Sequence, residues 1–126
     1  MKLSTKSRYA LRSMIDIASK DGLISVSEIS KLEDISERYL ELIFSSLRSA
    51  NFIRSVRGSH GGYILSKDPK DISVYDILKT MENDVCIVKS QKQEDPIKQM
   101  LQNEIWDPID ENLTSYLKGI SLKSLL

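Results

Sequence analysis

Residues 35–65, ISERYLELIFSSLRSANFIRSVRGSHGGYIL, constrain the fold more than any other stretch, because the spacing of their apolar residues changes once and abruptly. In the first half, Leu40, Ile43, Phe44 and Leu47 recur as one face of a helix. Ser36 stands where its hydroxyl can accept from the free amides of the first turn. With about 100° per residue, the opposite face carries Arg38, Glu41, Leu42 and Ser45, with Arg48 at its edge. Asn51 ends the helix, and residues 52–55 alternate as a strand does. Gly58-Ser59-His60-Gly61-Gly62 then allows a tight reversal with φ > 0, and Tyr63-Ile64-Leu65 returns. A helix followed at once by a glycine-tipped basic hairpin is the pattern of a winged helix-turn-helix.

The residues before this stretch supply the rest of such a motif. Ser4 or Thr5 caps a first helix running to about Ser19, with Ala10, Met14, Ile17 and Ala18 as its core face, Leu11 and Ile15 beside it, and Asp21-Gly22 as its end. Lys6, Arg8 and Arg12 lie on or near its outer side, where they either touch phosphates or are simply solvated. Ser25 and Glu28 have capping-box spacing and open a short helix, residues 27–33, with Ile29 and Leu32 facing inward. Asp34-Ile35-Ser36 is a turn of helix-turn-helix length into the next helix.

Charge follows the same division. Between Leu42 and Lys67 there is no acidic residue, while Arg48, Arg54, Arg57, Lys67 and His60 are present. Affinity for a duplex comes mostly from neutralising its backbone, and a surface of this kind supplies that. A formal net charge of zero argues against nucleic-acid binding taken alone, but residues 1–65 carry +3 and the remainder −3.

Beyond the hairpin, Asp68-Pro69 breaks the chain and Ser73 caps a fourth helix, residues 74–81, whose Ile77, Leu78 and Met81 close the core. Residues 82–93 are polar and read as a loop. Ile97, Leu101, Ile105, Ile109, Leu113 and Leu117 then repeat every four residues, widened by Met100, Trp106, Tyr116 and Ile120. A helix with so broad an apolar face and no partner of its own is expected to bury it against a second subunit. Pro108 either kinks this helix or makes Asp107-Pro108 the cap and first residue of a new one. Ser121 caps a last turn, residues 122–126.

The single Cys86 cannot form an internal disulfide, no signal-like apolar run follows Met1-Lys2, and no stretch approaches membrane-spanning length, so the chain is expected in the cytoplasm and off the membrane. There is no second His or Cys for a nucleophile–base pair or a zinc site. The glycines of residues 58–62 lack the spacing and following lysine of a phosphate-binding loop. The chain therefore reads as a non-enzyme without a metal or cofactor. Three states stay open for Cys86: a structural or inert small hydrophobe, a redox-reactive thiol, or a metal or cluster ligand.

The chain resembles the Rrf-two family of bacterial transcription repressors over nearly its whole length. The resemblance rests on Met1-Lys2-Leu3-Ser4-Thr5-Lys6-Ser7-Arg8-Tyr9-Ala10, on Ile35-Ser36 leading into Tyr39-Leu40-Glu41, and on Leu47-Arg48. Val56-Arg57-Gly58 with Gly61-Gly62-Tyr63, and Trp106 through to Ile120-Ser121-Leu122, extend it. It implies a winged-helix homodimer, mostly helical with a small β-hairpin. Residues 1–82 would bind DNA, residues 83–95 form a loop, and residues 96–126 supply a long dimerisation helix and C-terminal turn. It also implies that Glu41 reads bases in the major groove, with Arg38 on the same face, and that Arg57 enters the minor groove. The candidate DNA contacts are Arg38, Tyr39, Glu41, Leu42, Ser45, Arg48, Arg54, Arg57, Ser59 and His60. The candidate dimer contacts are Ile97, Leu101, Ile105, Ile109, Leu113 and Leu117.

Two departures from the family pattern matter. Members usually carry a polar residue, often Gln, where this chain has Leu42, which either packs on a thymine methyl or is one exposed leucine without meaning. Cluster-binding members carry three closely spaced cysteines after the fourth helix, where this chain offers Cys86 alone. The nearer analogue is thus the family's repressor of cysteine metabolism, which works in complex with a metabolic enzyme. The expected function is a regulator reading a pseudo-palindromic operator in double-stranded DNA. The alternatives are a winged-helix protein-interaction module without sequence-specific DNA binding, and a redox or iron–sulfur sensor using atypical ligands.

Overall fold

Serine hydroxyls start all four helices of the N-terminal part. In the computed structural model, which describes residues 2–20, 23–88 and 95–126, α1 (Thr5–Ser19), α2 (Val26–Glu33), α3 (Glu37–Ser49) and α4 (Val74–Met81) follow Ser4, Ser25, Ser36 and Ser73. Each of these serines accepts from the amide three residues on. At α4 the cap is reciprocal, because the Asp76 carboxylate also accepts from the Ser73 amide. The expected end of α1 at Asp21-Gly22 lies outside the described residues, as do residues 89–93 of the expected loop.

The apolar faces of α1, α3 and α4 meet in one core. Ala10, Met14, Ile17, Leu40, Ile43, Phe44, Leu47 and Ile77 are buried there, with Ala18, Leu11, Ile15 and Met81 partly buried against it. Asp34, in the left-handed region at φ 53, reverses the chain between α2 and α3, and buried Ile35 anchors the turn. Asn51, at φ 65, makes the equivalent reversal from α3 into the hairpin.

One inward assignment on α2 is wrong. Ile29 is fully buried, but Leu32 is 63% exposed. The place beside Ile29 one turn on is taken by Glu33, whose side chain is 8% exposed and pairs with Arg12 of α1. A helix of eight residues presents only a narrow strip to the core, and here an ion pair with α1 occupies it.

Strands β1 (Ile53–Val56) and β2 (Gly62–Leu65) pair antiparallel, Ile53 opposite Leu65 and Val56 opposite Gly62. The hairpin is not free-standing. The Ile24 amide donates to the Tyr63 carbonyl at 3.3 Å and the Tyr63 amide to the Ile24 carbonyl at 2.8 Å, so the segment before α2 is tied to β2 by a single antiparallel bridge. Among the glycines of the tip only Gly58 has positive φ (133°). Gly61 and Gly62 serve close approach instead: a Cβ on Gly62 would collide with the backbone carbonyl of Ile24, and one on Gly61 with that of Val56.

The C-terminal helical path comprises α5 (Pro96–Leu101), a π-helical turn (Gln102–Trp106) and α6 (Asp107–Lys118). Asp107 is not a cap, for its backbone is helical (φ −62, ψ −46) and its carboxylate accepts from the buried Gln102 side chain at 2.6 Å. Pro108 therefore neither begins a capped helix nor stops one. Its missing N–H and bulky ring are accommodated by the preceding π turn, in which the Asp107 amide reaches back to the Gln102 carbonyl. After α6 the chain returns to the core: Val74 N donates to Ile120 O at 2.9 Å, Leu122 N to Ile72 O at 2.7 Å, and Leu122 is fully buried. The final 3-10 turn (Lys123–Leu125) is capped by Ser121, which accepts from Ser124 N. Among the described residues no helix is long and apolar enough to cross a membrane.

Because a methyl group at Gly62 has only backbone to push against, Gly62→Ala is expected to destabilise the protein by about 1–3 kcal/mol in urea unfolding. Gly119→Ala, at a helical φ of −76 and in ordinary contact with its surroundings, should change stability by less than about 1 kcal/mol. Equal unfolding midpoints for Gly62→Ala and wild type would mean that the hairpin is not seated on Ile24.

Candidate nucleic-acid interface

The rotation of α3 is set by its buried face, which leaves Arg38, Glu41, Leu42, Ser45 and Arg48 exposed along its other side. Leu42, at 59% exposure, is an apolar residue on an otherwise polar surface. Tyr39 sits differently from its neighbours. It is half-buried, its ring standing edge-on to Tyr9 of α1 at 6.0 Å between centroids, so the start of α3 is braced against α1.

The hairpin lies beside this face. Phe52 N donates to Leu47 O at 3.1 Å across the turn, and the Phe44 ring meets the Tyr63 ring edge-on at 4.9 Å, tying α3 to β2. Arg54 on β1, and Arg57, Ser59 and His60 in the turn, are all exposed. The Gly61 amide closes that turn on the Gly58 carbonyl at 3.0 Å. Lys67 stands over the Phe52 ring at 5.2 Å, a cation–π contact at the base of the hairpin.

Ion pairs separate the cations that are already engaged from those that are not. Among the described residues the pairs are Arg12–Glu33, Lys20–Glu28 and Lys70–Asp68. None involves Arg38, Arg48, Arg54 or Arg57. Four arginines thus remain available to an external anion on one helix and the hairpin docked beside it. Arg12, left open between phosphate contact and solvent, is committed to Glu33, and Arg8 donates to Thr5 Oγ1 at 3.2 Å. What the sequence did not reveal is the bracing: Tyr9 behind Tyr39, Ile24 behind Tyr63, and Gly62 as the point of closest approach. The adjacent glycines were the available signal for the last of these.

The expected dimer stripe changes exposure along its length. Ile97 (66% exposed), Leu101, Ile105 and Ile109 are open, as are Met100 and Tyr116. Leu113 and Leu117 are half-buried on the part of the path that packs against α4. Cys86 is half-buried, and the adjacent Ile87 amide donates to Asp110 Oδ1 of α6 at 2.7 Å.

The Rrf2 family model, described as an iron-dependent transcriptional regulator, matches residues 3–126. Over 117 residues the chain is 39% identical to the HTH-type transcriptional regulator CymR of Bacillus subtilis (strain 168), covering 91% of this chain and 85% of the relative. It is 35% identical over 130 residues to the HTH-type transcriptional regulator IscR of Photorhabdus laumondii, covering 100% of this chain and 79% of the relative. The solved structure of CymR, the global cysteine regulator of B. subtilis, superposes with a TM-score of 0.86 at 35% identity, covering 99% of this chain and 95% of that one.

The residues present do not fit the iron in the family description. The whole sequence has one thiol and one imidazole. They sit on separate elements, Cys86 after α4 and His60 at the hairpin tip. No group of three or more His, Cys, Asp and Glu that could hold a metal occurs among the described residues. Iron–sulfur clusters are held mainly by several thiolates, and a donor set with a single thiolate per chain does not supply them. With the match spanning nearly its full length, and relatives of more than 30% identity across it, the chain belongs to the Rrf2 family of transcriptional regulators.

Proposed function

We propose that this protein is a cytoplasmic repressor that binds a pseudo-palindromic operator as a homodimer, with α3 in the major groove and the hairpin in the minor groove. The observation that carries the reading is the set of four exposed, unpaired arginines on α3 and the hairpin, in a stretch with no acidic residue from Leu42 to Lys67. Arg48 and Arg54 suit phosphates, and Arg57 suits the narrow, negative minor groove. Glu41 can accept from a cytosine amino group, Arg38 can donate to guanine, and Leu42 offers an apolar contact for a thymine methyl. Ser45 on the outward face of α3, and Ser59 and His60 in the hairpin turn, offer hydroxyl and imidazole groups that position a backbone without reading it. In this reading residues 1–82 read DNA and residues 96–126 join two copies through the open part of the stripe. Only the family resemblance suggests a metabolic enzyme as a further partner.

The first test is capture of genomic fragments by the purified protein, followed by a salt titration on the enriched duplex. A near-palindrome should be enriched, and its affinity should fall on the order of 10³-fold between roughly 50 and 200 mM salt if about six phosphates are contacted. Weak, sequence-blind and salt-insensitive binding would favour the protein-interaction reading instead. On the same duplex, Arg57→Ala should weaken binding by roughly 1–3 kcal/mol, and Glu41→Ala should relax preference at one position of each half-site. An unchanged affinity or an identical selected motif would remove the corresponding role.

The dimer is tested separately. Charges do not bury unpaired, so replacing Leu101 and Ile105 together by Glu should yield a folded monomer in analytical ultracentrifugation. A dimer that persists in this variant would place the interface elsewhere.

A further inference from the structure

Behind the DNA-facing surface, α1 and α2 meet through two acidic side chains. Asp16 lies one helical turn after Arg12 on α1, and its Oδ2 is shut off from solvent with no hydrogen-bond donor. Its acidic neighbour is Glu33, the last residue of α2, itself almost covered and paired with Arg12. Among the described residues, α3, α4 and β2 also pack on α1 but bring no further charge to bear on Asp16. Two carboxylates in one half-buried site repel, and a proton between them turns that repulsion into a hydrogen bond.

We propose that Asp16 takes up a proton and, keeping it, donates a hydrogen bond to Glu33, and that the resulting chain Asp16–Glu33–Arg12 draws the end of α2, and with it the start of α3, onto α1. Glu33 is followed directly by the left-handed Asp34, buried Ile35 and the cap Ser36. Ser30 Oγ donates to the Ile35 carbonyl at 2.5 Å, so the turn is fixed to α2 and carries its position into α3. Asp16 is thus a positioning residue for the DNA-reading helix, a role that rests on the function proposed above.

The proton belongs on Asp16 because its pKa is pushed up from 3.8 to about 6, by burial first and then by the hydrogen bond and charge of Glu33, against the opposing pull of Arg12. Between those two values the native protein holds a proton that the unfolded chain has released. Stability therefore falls as pH rises through this window and stays at the lower level above it. Acidification from neutral pH toward 6 restores the bond and tightens the α1–α2 contact.

Carboxyl-carbon NMR of the wild-type protein tests the proton without any substitution. A midpoint near 6 for Asp16 is expected, and one near its ordinary 3.8 overturns the proposal. Thermal melting from pH 4 to 8 is the second measurement. Asp16→Asn carries a permanent donor toward Glu33, so its melting temperature should lose the wild-type decline between about pH 4 and 6. Parallel curves for the two proteins overturn the proposal as well.

The third measurement is affinity for the enriched duplex at pH 5.5 and 7.5. Wild type should lose more affinity over this interval than Asp16→Asn, the two proteins being otherwise identical. Equal losses would refute the positioning role. Failure of both proteins to bind any duplex would count against the proposed function, while the NMR and melting results would still decide the proton.

Discussion

The burial of one face of α3 is the constraint on which the rest of the structure depends. Leu40, Ile43, Phe44 and Leu47 are all fully buried. Full burial of a side chain of this size is worth roughly 1.5–3 kcal/mol, whereas an exposed ion pair is worth about 0–1 kcal/mol. The apolar residues therefore decide how the helix is rotated, and the charged ones follow. Arg38, Glu41, Ser45 and Arg48 face outward because the core has claimed the other side. A substitution that loosens Phe44 would misdirect them without touching any of them.

Rotation alone does not place the hairpin. Its position comes from backbone bonds to Ile24 and from Phe44 against Tyr63, so one ring of the core links both candidate DNA-contacting elements. A second brace closes the far side of α1. The Glu82 carboxylate accepts from Ser4 N at 2.8 Å and from Ser7 Oγ at 2.7 Å, joining the end of α4 to the start of α1. These bonds, the backbone one foremost, hold the Glu82 carboxyl below the usual carboxylate range. Its stabilisation is present near neutral pH and is lost as pH falls through that lowered value. Asp16 acts with the opposite sign. The helices around α1 are thus held by two carboxyl groups whose effects on stability run against each other as pH changes.

How much of this was legible in the sequence depended on whether each decision is local. Serine caps were, because the hydroxyl serves an amide only three residues away; so was the outward face of α3, which follows from its inward one. Leu32 was not. Spacing placed it inward with Ile29, but a residue distant in sequence, Arg12, drew Glu33 into that place. The contact of the Tyr39 ring with Tyr9 was no more legible, since it joins residues far apart in the sequence. The glycines of the hairpin were legible as a tight turn but not as a docking point, since nothing near Gly62 in the sequence names Ile24.

Pro108 shows how local and distant demands are reconciled. Apolar residues at every fourth position drift by about 40° per step around an α-helix, or about 200° from Ile97 to Leu117. A stripe of that drift could not face one partner along its length. A π turn takes up one extra residue and returns about 100° of that drift. What remains is consistent with the observed course, open from Ile97 to Ile109 and half-buried at Leu113 and Leu117 beside α4. The irregular turn before the proline thus keeps the exposed part of the stripe on one side, and the remaining drift brings its end onto the body of the molecule. Through Ile120–Val74 and Leu122–Ile72, that end is bonded to the start of α4, which packs on α3, and to the segment just before it. A second copy seated on the open stripe would therefore be connected to the DNA-facing surface by packed helix and backbone hydrogen bonds.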